Sequence, residues 1–324
     1  MSRQNVDTLS HGDSVEEVFL LADKQLRANR NGDLYLLTQL RDATGQVSGL
    51  MWNVTEERAA DLHAGGYAKA RGKAQLYNGQ IQVILNRIEP VDATAVDPDE
   101  FRASTSADAG ENLARIRQVV DGFQNAELKT LLGCYLDDED LTEKFLFAPA
   151  GIKLHHANPG GLVEHVRTLV ELALKVGEVY AAVDTELVVA GAILHDLSKV
   201  DELLYDATFG YSDEGQLVGH LVMGVELLAK KREECERRLN RTMDGELLLR
   251  LKHMIVSHHG PPEHGSPKPP MTPEAVVLWL LDNLDAKLNE FTQIIEGDPN
   301  SDSAWTPFNQ HLQRKLFKGG PATG

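Results

Sequence analysis

The sequence predicts an α+β chain of two unlike domains, a five-stranded β-barrel followed by a larger all-α domain. Three observations predict it. Short alternating apolar stretches, divided by turn residues such as Asn31-Gly32 and Asn78-Gly79, occupy the chain up to about residue 93. An acidic, small-residue stretch without period, 94–110, follows. Beyond it apolar residues recur at helical spacing and no strand signal returns. A length of 324 residues suits two domains, each with its own core.

Residues 1–13 are polar and read as a disordered N-terminus. In the barrel region, 14–93, Val18–Leu26, Leu34–Asp42, Val47–Trp52, Tyr67–Leu76 and Ile81–Ile88 read as strands. A polar, helix-like stretch, Glu56–His63, stands after the third. Five strands with one short helix in that place fit the OB barrel. Such barrels bind single strands through exposed aromatics and a basic groove. Tyr35, Trp52, Arg71, Lys73 and Tyr77 are the candidates for nucleic-acid binding here.

The helical region runs over 111–295. Leu113, Ile116, Val119 and Phe123 form one apolar stripe, Leu128, Leu131, Leu132 and Tyr135 a second, and Leu141–Phe147 a third short helix. None carries evident chemistry. A tail, 296–324, ends in Lys-Gly-Gly-Pro-Ala-Thr-Gly, whose last residues read as disordered. Trp305, Phe308, Leu312 and Phe317 in that tail could pack on the body or on a second subunit.

Composition narrows the setting. The chain is 42% apolar and 25% charged, ordinary for a globular protein. No apolar run approaches the roughly 18 residues of a membrane span. The N-terminus has no signal-peptide core, and the two cysteines, Cys134 and Cys235, form no CxxC. A cytoplasmic home is expected. The net charge of −17 argues against wrapping duplex nucleic acid. The excess acid lies mostly beyond residue 91, because residues 1–91 hold ten basic and eleven acidic side chains. A local binding surface on the barrel is therefore compatible with the charge.

The chemistry gathers on histidines. The apolar run Leu187–Leu194 ends abruptly in His195-Asp196, followed by Lys199. Burying a carboxylate beside an imidazole is unfavourable without a compensating cation. His165 lies on the apolar stripe of Leu162, Val166 and Leu169. His220 opens a helix after Gly219. His258-His259 ends another, with Gly260 placed for a C-cap. Asp282 sits in the middle of a long helix, Glu274–Phe291, on a largely apolar face. Each residue alone reads as a satisfied core or surface group. Together they favour divalent metal, two ions being plausible: His165, His195, Asp196 and Asp282 for one, with Asp196 bridging to a second held by His220 and His258. Mixed imidazole and carboxylate donors suit Mn, Fe, Co, Ni or Zn. A water activated between such ions attacks phosphate esters. Lys199 and His259 join Asp196 as catalytic candidates, Lys199 as a point charge on phosphate and His259 as a supporting or substrate group.

The pattern His165 … His195-Asp196-x-x-Lys199 … His220 … His258-His259-Gly260 … Asp282 resembles the HD-domain metal-dependent phosphohydrolases. With a barrel ahead of it, and with Gly265-Ser-Pro267 and Asp282-Asn-Leu-Asp-Ala-Lys287, the chain is similar to the YhaM-type 3′–5′ exoribonucleases from about residue 15 to 295. The resemblance implies a manganese- or cobalt-type ion and stepwise removal of nucleotides from a single-stranded 3′ end, with RNA, or DNA, as partner. Two positions depart from the family's usual pattern: Ser198 replaces a glycine, and His264 replaces an aromatic residue. Two alternative functions are a phosphodiesterase for small nucleotides using the same site, and a nucleic-acid-binding module whose helical part only scaffolds.

Overall fold

The computed structural model describes residues 3–29, 32–77, 80–97, 100–101, 108–151, 159–205, 210–298, 300 and 302–319. The expected turns at 30–31 and 78–79 and much of the expected linker lie outside them. Two compact units emerge, one of residues 1–104, 204–209 and 291–324, the other of residues 105–203 and 210–290.

In the first unit β1 (Ser14–Ala28) is long enough to serve two neighbours. Its first half pairs antiparallel with β4 (Tyr67–Tyr77), its second half with β2 (Leu34–Asp42), and a register shift between Leu21 and Asp23 turns it from one to the other. β3 (Gly45–Trp52) and β5 (Gln80–Val91) then pair in parallel, closing the barrel in the order β1-β2-β3-β5-β4. Closure leaves no free sheet edge. Alternation places Phe19, Leu36, Leu40, Val47, Met51, Ala70, Val83 and Leu85 inside. Gly72 sits at a second register shift, where a Cβ would stand 2.3 Å from the Ile84 carbonyl oxygen. Helix α1 (Glu56–Ala60), capped by Thr55, follows β3.

The N-terminal stretch differs from the expectation of disorder. Leu9 is buried in the barrel core, the Val6 amide donates to Asp42, the Gly12 amide donates to the Ala74 carbonyl and the Ala74 amide donates to the Asp13 carbonyl. Val6 and Leu9 among polar neighbours are a weak sequence signal, yet both pack on the barrel core. The stretch after β5 likewise holds an anchor: Phe101 is buried against Tyr67 and under the Arg3 guanidinium. The tail from Phe291 onward belongs to this unit, not to the helical one.

The second unit is helical: α2 (Ala109–Asp121), α3 (Ala126–Leu136), α4 (Glu139–Phe147), α5 (Gly161–Val179), α6 (Thr185–Leu194), α7 (Lys199–Glu202), α8 (Asp213–Leu217), α9 (His220–Leu239), α10 (Gly245–Ser257) and, as far as Glu290, α11 (Pro273–Glu296). Two-residue strands at Leu203–Leu204 and Gly210–Tyr211 interrupt the run, a departure from the all-α expectation too short to carry an alternating pattern. Helix α6 is apolar on every side, so it can only lie inside, and Leu187–Leu194 are all buried. α5 and α10 pack on it. No described helix is long and apolar enough to cross a membrane.

Candidate metal centre

The centre forms where the buried helix α6 ends. His195 is its C-cap, and its Nδ1 donates to the Ala192 carbonyl at 2.9 Å, which turns Nε2 inward. His258 caps α10 in the same way, its Nδ1 donating to the Ile255 carbonyl at 2.7 Å. His165 on α5 gives Nδ1 to Asp285 at 2.7 Å, and His220 at the start of α9 gives Nδ1 to Glu202 at 2.8 Å. Four imidazoles thus have one nitrogen held by an acceptor and the other aimed at a shared interior. Metal-binding histidines are oriented by such outer partners.

Two groups of donor atoms result. His165 Nε2 lies 3.4 Å from His195 Nε2 and 3.3 Å from Asp282 Oδ1, and His195 Nε2 lies 3.4 Å from Asp196 Oδ2. On the other side, Asp196 Oδ1 lies 3.4 Å from His220 Nε2 and 3.3 Å from His258 Nε2, and His259 Nε2 stands 3.2 Å from His220 Nε2. One carboxylate faces both groups, one oxygen to each. Asp196 Oδ1 and His258 Nε2 are buried and have no hydrogen-bond partner among the described residues. An orphaned carboxylate oxygen and an orphaned imidazole lone pair are unfavourable inside a protein unless a cation fills the gap. The donor set therefore fits divalent metal.

Electrostatics agree with that reading. Burial alone would lift Asp196, yet the Lys199 ammonium and His195 hold it well below the usual carboxylate range. Burial opposes a charge on His165, but hydrogen bonds to Asp282 and Asp285 hold its pKa up at about 9. His258 is pushed down by burial. Burial, together with neighbouring His258, takes His259 down to about 3, leaving it a neutral donor.

All six expected metal ligands meet here. Two further residues belong to the centre and were not expected as site residues. Asp285 and Glu202 orient imidazoles. His259, expected only as a supporting group, presents Nε2 as a ligand atom would. Asp285 carried a signal, being one helical turn beyond Asp282. Glu202 carried none, since only the fold of α7 brings it to the first turn of α9, where it also accepts the His220 amide. Lys199 points at the centre with its Nζ donating to Asp196 Oδ2 at 2.7 Å and to the Ala150 carbonyl at 2.9 Å. Ser198 is buried, and its hydroxyl donates to the His220 carbonyl at 2.7 Å, beside Gly224. The extra hydroxyl thus ties the His195-Asp196 turn to α9. His264 is exposed, at the end of a 3₁₀ turn.

Gly260 closes α10 directly after the two histidines. Its φ is +83°, and a Cβ there would stand 2.1 Å from Trp279 Nε1. Gly260→Ala is expected to destabilise the fold by on the order of 2 kcal/mol, from the left-handed backbone and the overlap with a rigid ring. Thermal unfolding of the metal-free protein measures this; an unchanged midpoint would show that the loop relaxes freely.

On the barrel, Tyr35 and Trp52 face each other across β2 and β3 with ring centroids 5.2 Å apart, and Trp52 is 50% exposed. The next outward row in register is Leu37, Leu50, Ile84 and Lys73, so Lys73 stands on the same outer surface as the aromatic pair. Arg71 is ion-paired to Glu16 at 2.6 Å. Tyr77 is exposed at the end of β4.

The HD domain family model matches residues 162–287, which span every donor of the centre. The protein of Bacillus subtilis (strain 168) named 3′–5′ exoribonuclease YhaM is 32% identical over 286 residues, 88% of this chain and 88% of that protein. The chain belongs to the YhaM family. A family member from Listeria monocytogenes serotype 4b is 33% identical over 292 residues, 88% of this chain and 89% of its own. The second OB-fold domain of replication protein A from Methanococcus maripaludis is 18% identical with a TM-score of 0.22, covering 28% of this chain and 96% of that one. The barrel assignment rests instead on strand order and closure.

Proposed function

We propose that the chain is a metal-dependent 3′–5′ exonuclease that removes nucleotides from single-stranded RNA, with DNA as the less favoured strand. The carrying observation is the convergence of five imidazoles and two carboxylates around orphaned buried donor atoms, inside a chain of the YhaM family. His165, His195, Asp196 and Asp282 would hold one ion; Asp196, His220, His258 and His259 would hold the second, manganese being the favoured metal. When bound, such ions supply an acidified water and neutralise charge on a phosphodiester. The protein's own part is to hold the imidazoles in place and aimed, through Asp285, Glu202 and two backbone carbonyls. Lys199 keeps Asp196 ionised and, with its third N–H, presents a positive charge toward a phosphate oxygen. Tyr35 and Trp52 offer stacking surface, and Lys73 offers charge, to the strand. The two cysteines are buried thiols, which suits a reducing cytoplasm.

The test is a 5′-labelled single-stranded RNA incubated with Mn²⁺, beside the matching DNA. A ladder shortening from the 3′ end that chelation abolishes is expected. Intact oligonucleotides together with hydrolysis of nucleotide monomers or cyclic dinucleotides would move the assignment to a small-nucleotide phosphodiesterase. Trp52→Ala should weaken binding of a single strand about tenfold, in line with one lost stacking contact. Fluorescence anisotropy under chelation reads this without cleavage, and an unchanged affinity would remove the Tyr35–Trp52 pair from the binding surface.

A further inference from the structure

The last described residues form a small hairpin that the barrel and the metal centre do not use. Trp305 pairs with Phe317 and Asn309 with Arg314 through isolated bridges, and the Thr306 amide donates to the Leu316 carbonyl at 2.9 Å. Its inner side is anchored: Thr306, Leu312 and Leu316 are buried, and Lys318 pairs with Asp298 at 2.6 Å. Its outer side is aromatic and bare. Trp305 is 50% exposed, Phe308 54% and Phe317 59%, and the Trp305 and Phe317 rings lean on each other at 5.0 Å. A folded hairpin that keeps three large rings in water has rings to offer a partner.

Charge says which partner. The chain carries a net −17, yet from Ser303 to the end it contains no Asp or Glu, while Arg314, Lys315 and Lys318 lie within that stretch. Arg314 and Lys315 are exposed and sit on the hairpin arm that ends in Phe317. Exposed rings beside the exposed cations Arg314 and Lys315 match the faces and phosphates of an unpaired nucleic-acid strand. An apolar protein partner would explain the rings but not the local reversal of charge.

We propose that the Trp305–Phe317 hairpin is a second stacking platform for single-stranded RNA, in addition to Tyr35 and Trp52. Bases stack on Trp305 and Phe317, and Arg314 and Lys315 meet the backbone phosphates. This rests on the reading of the chain as a single-strand nuclease.

The experiment uses the full chain under chelation, with a fluorescent single-stranded RNA and anisotropy as the readout. Trp305→Ala/Phe317→Ala should weaken binding about tenfold or more. Arg314→Gln/Lys315→Gln should lower the steepness of the salt dependence by roughly 1.4 in the log–log slope, for two phosphates. In a Trp52→Phe background, where Trp279 and Trp305 remain, RNA should quench emission, and Trp305→Phe added to that background should remove the quenching. Trp305→Tyr/Phe317→Tyr, which keeps the rings, should bind like the parent, which separates lost stacking from a misfolded hairpin. Unchanged affinity of the alanine variant overturns the proposal, as does dissociation of an oligomer in light scattering with RNA binding intact, since the rings would then be a contact with a second copy. If the parent itself trims RNA while the alanine variant binds normally, only the platform falls. If the parent neither binds nor trims RNA, the reading beneath it falls first.

Discussion

Asp196→Asn should abolish occupancy of both ion positions and lower turnover by on the order of 10³-fold. The reason is geometric. One oxygen of Asp196 faces the His195 side and the other faces His220 and His258. An amide offers one neutral oxygen and a nitrogen that only donates, so one side loses its donor outright and the other keeps only an uncharged one. The substitution also strands a cation, because Lys199 Nζ is buried against Asp196 and the Ala150 carbonyl. Removing one partner of such a pair destabilises by about 3 kcal/mol, whereas removing both often does not. Asp196→Asn/Lys199→Met should therefore regain much of the lost stability in the metal-free protein and regain no activity. Calorimetric titration with Mn²⁺ beside chemical denaturation separates the two effects. Full-strength binding of two ions by Asp196→Asn would remove the bridging role.

What sequence could reveal follows from how each group is positioned. The candidate ligands were legible because each stands within or at the end of an apolar helix, and an imidazole or carboxylate on a buried face needs a compensating partner. His165 beside Leu162 and Leu169, and Asp282 between Leu278 and Leu281 and its own next turn, announce themselves that way. Glu202 and the Ala192 and Ile255 carbonyls could not be read, since a backbone oxygen has no sequence identity and a surface-like Glu in a short helix looks like any other. The barrel was legible from period-two alternation and from turns with Gly. The buried roles of Leu9 and Phe101 were not, because one apolar side chain in a polar stretch has no period. Ser198 reads in sequence only as a departure from the family pattern. In the fold its hydroxyl is a tie between the His195-Asp196 turn and the His220 carbonyl, made affordable by Gly224.

Two aspartates one turn apart on α11 should respond in opposite ways to excess metal. Asp282 presents Oδ1 to His165 Nε2 at 3.3 Å and to His195 Nε2 at 4.0 Å, the position of a ligand. Asp285 instead meets the far nitrogen of the same imidazole, at 2.7 Å. Asp282→Asn is expected to remove activity by on the order of 10³-fold at any Mn²⁺ concentration. Asp285→Asn should weaken the ion by about 10–100-fold and recover most of its turnover when Mn²⁺ is raised to match. Proton release distinguishes them further. In the metal-free protein His165 is protonated below a pKa of about 9, raised against burial by Asp282 and Asp285. An ion must displace that proton, so binding at pH 7 should release about one proton at this position and tighten as pH rises toward 9. Without Asp285 the imidazolium loses one of its two carboxylate partners, its pKa falls, and the pH dependence of binding should shift to lower pH. Titration calorimetry in buffers of different ionisation enthalpy measures the released proton directly. Equal loss of activity in both variants, unrescued by metal, would mean that Asp285 is itself a ligand and that the centre is arranged differently from the donor groups given by these distances.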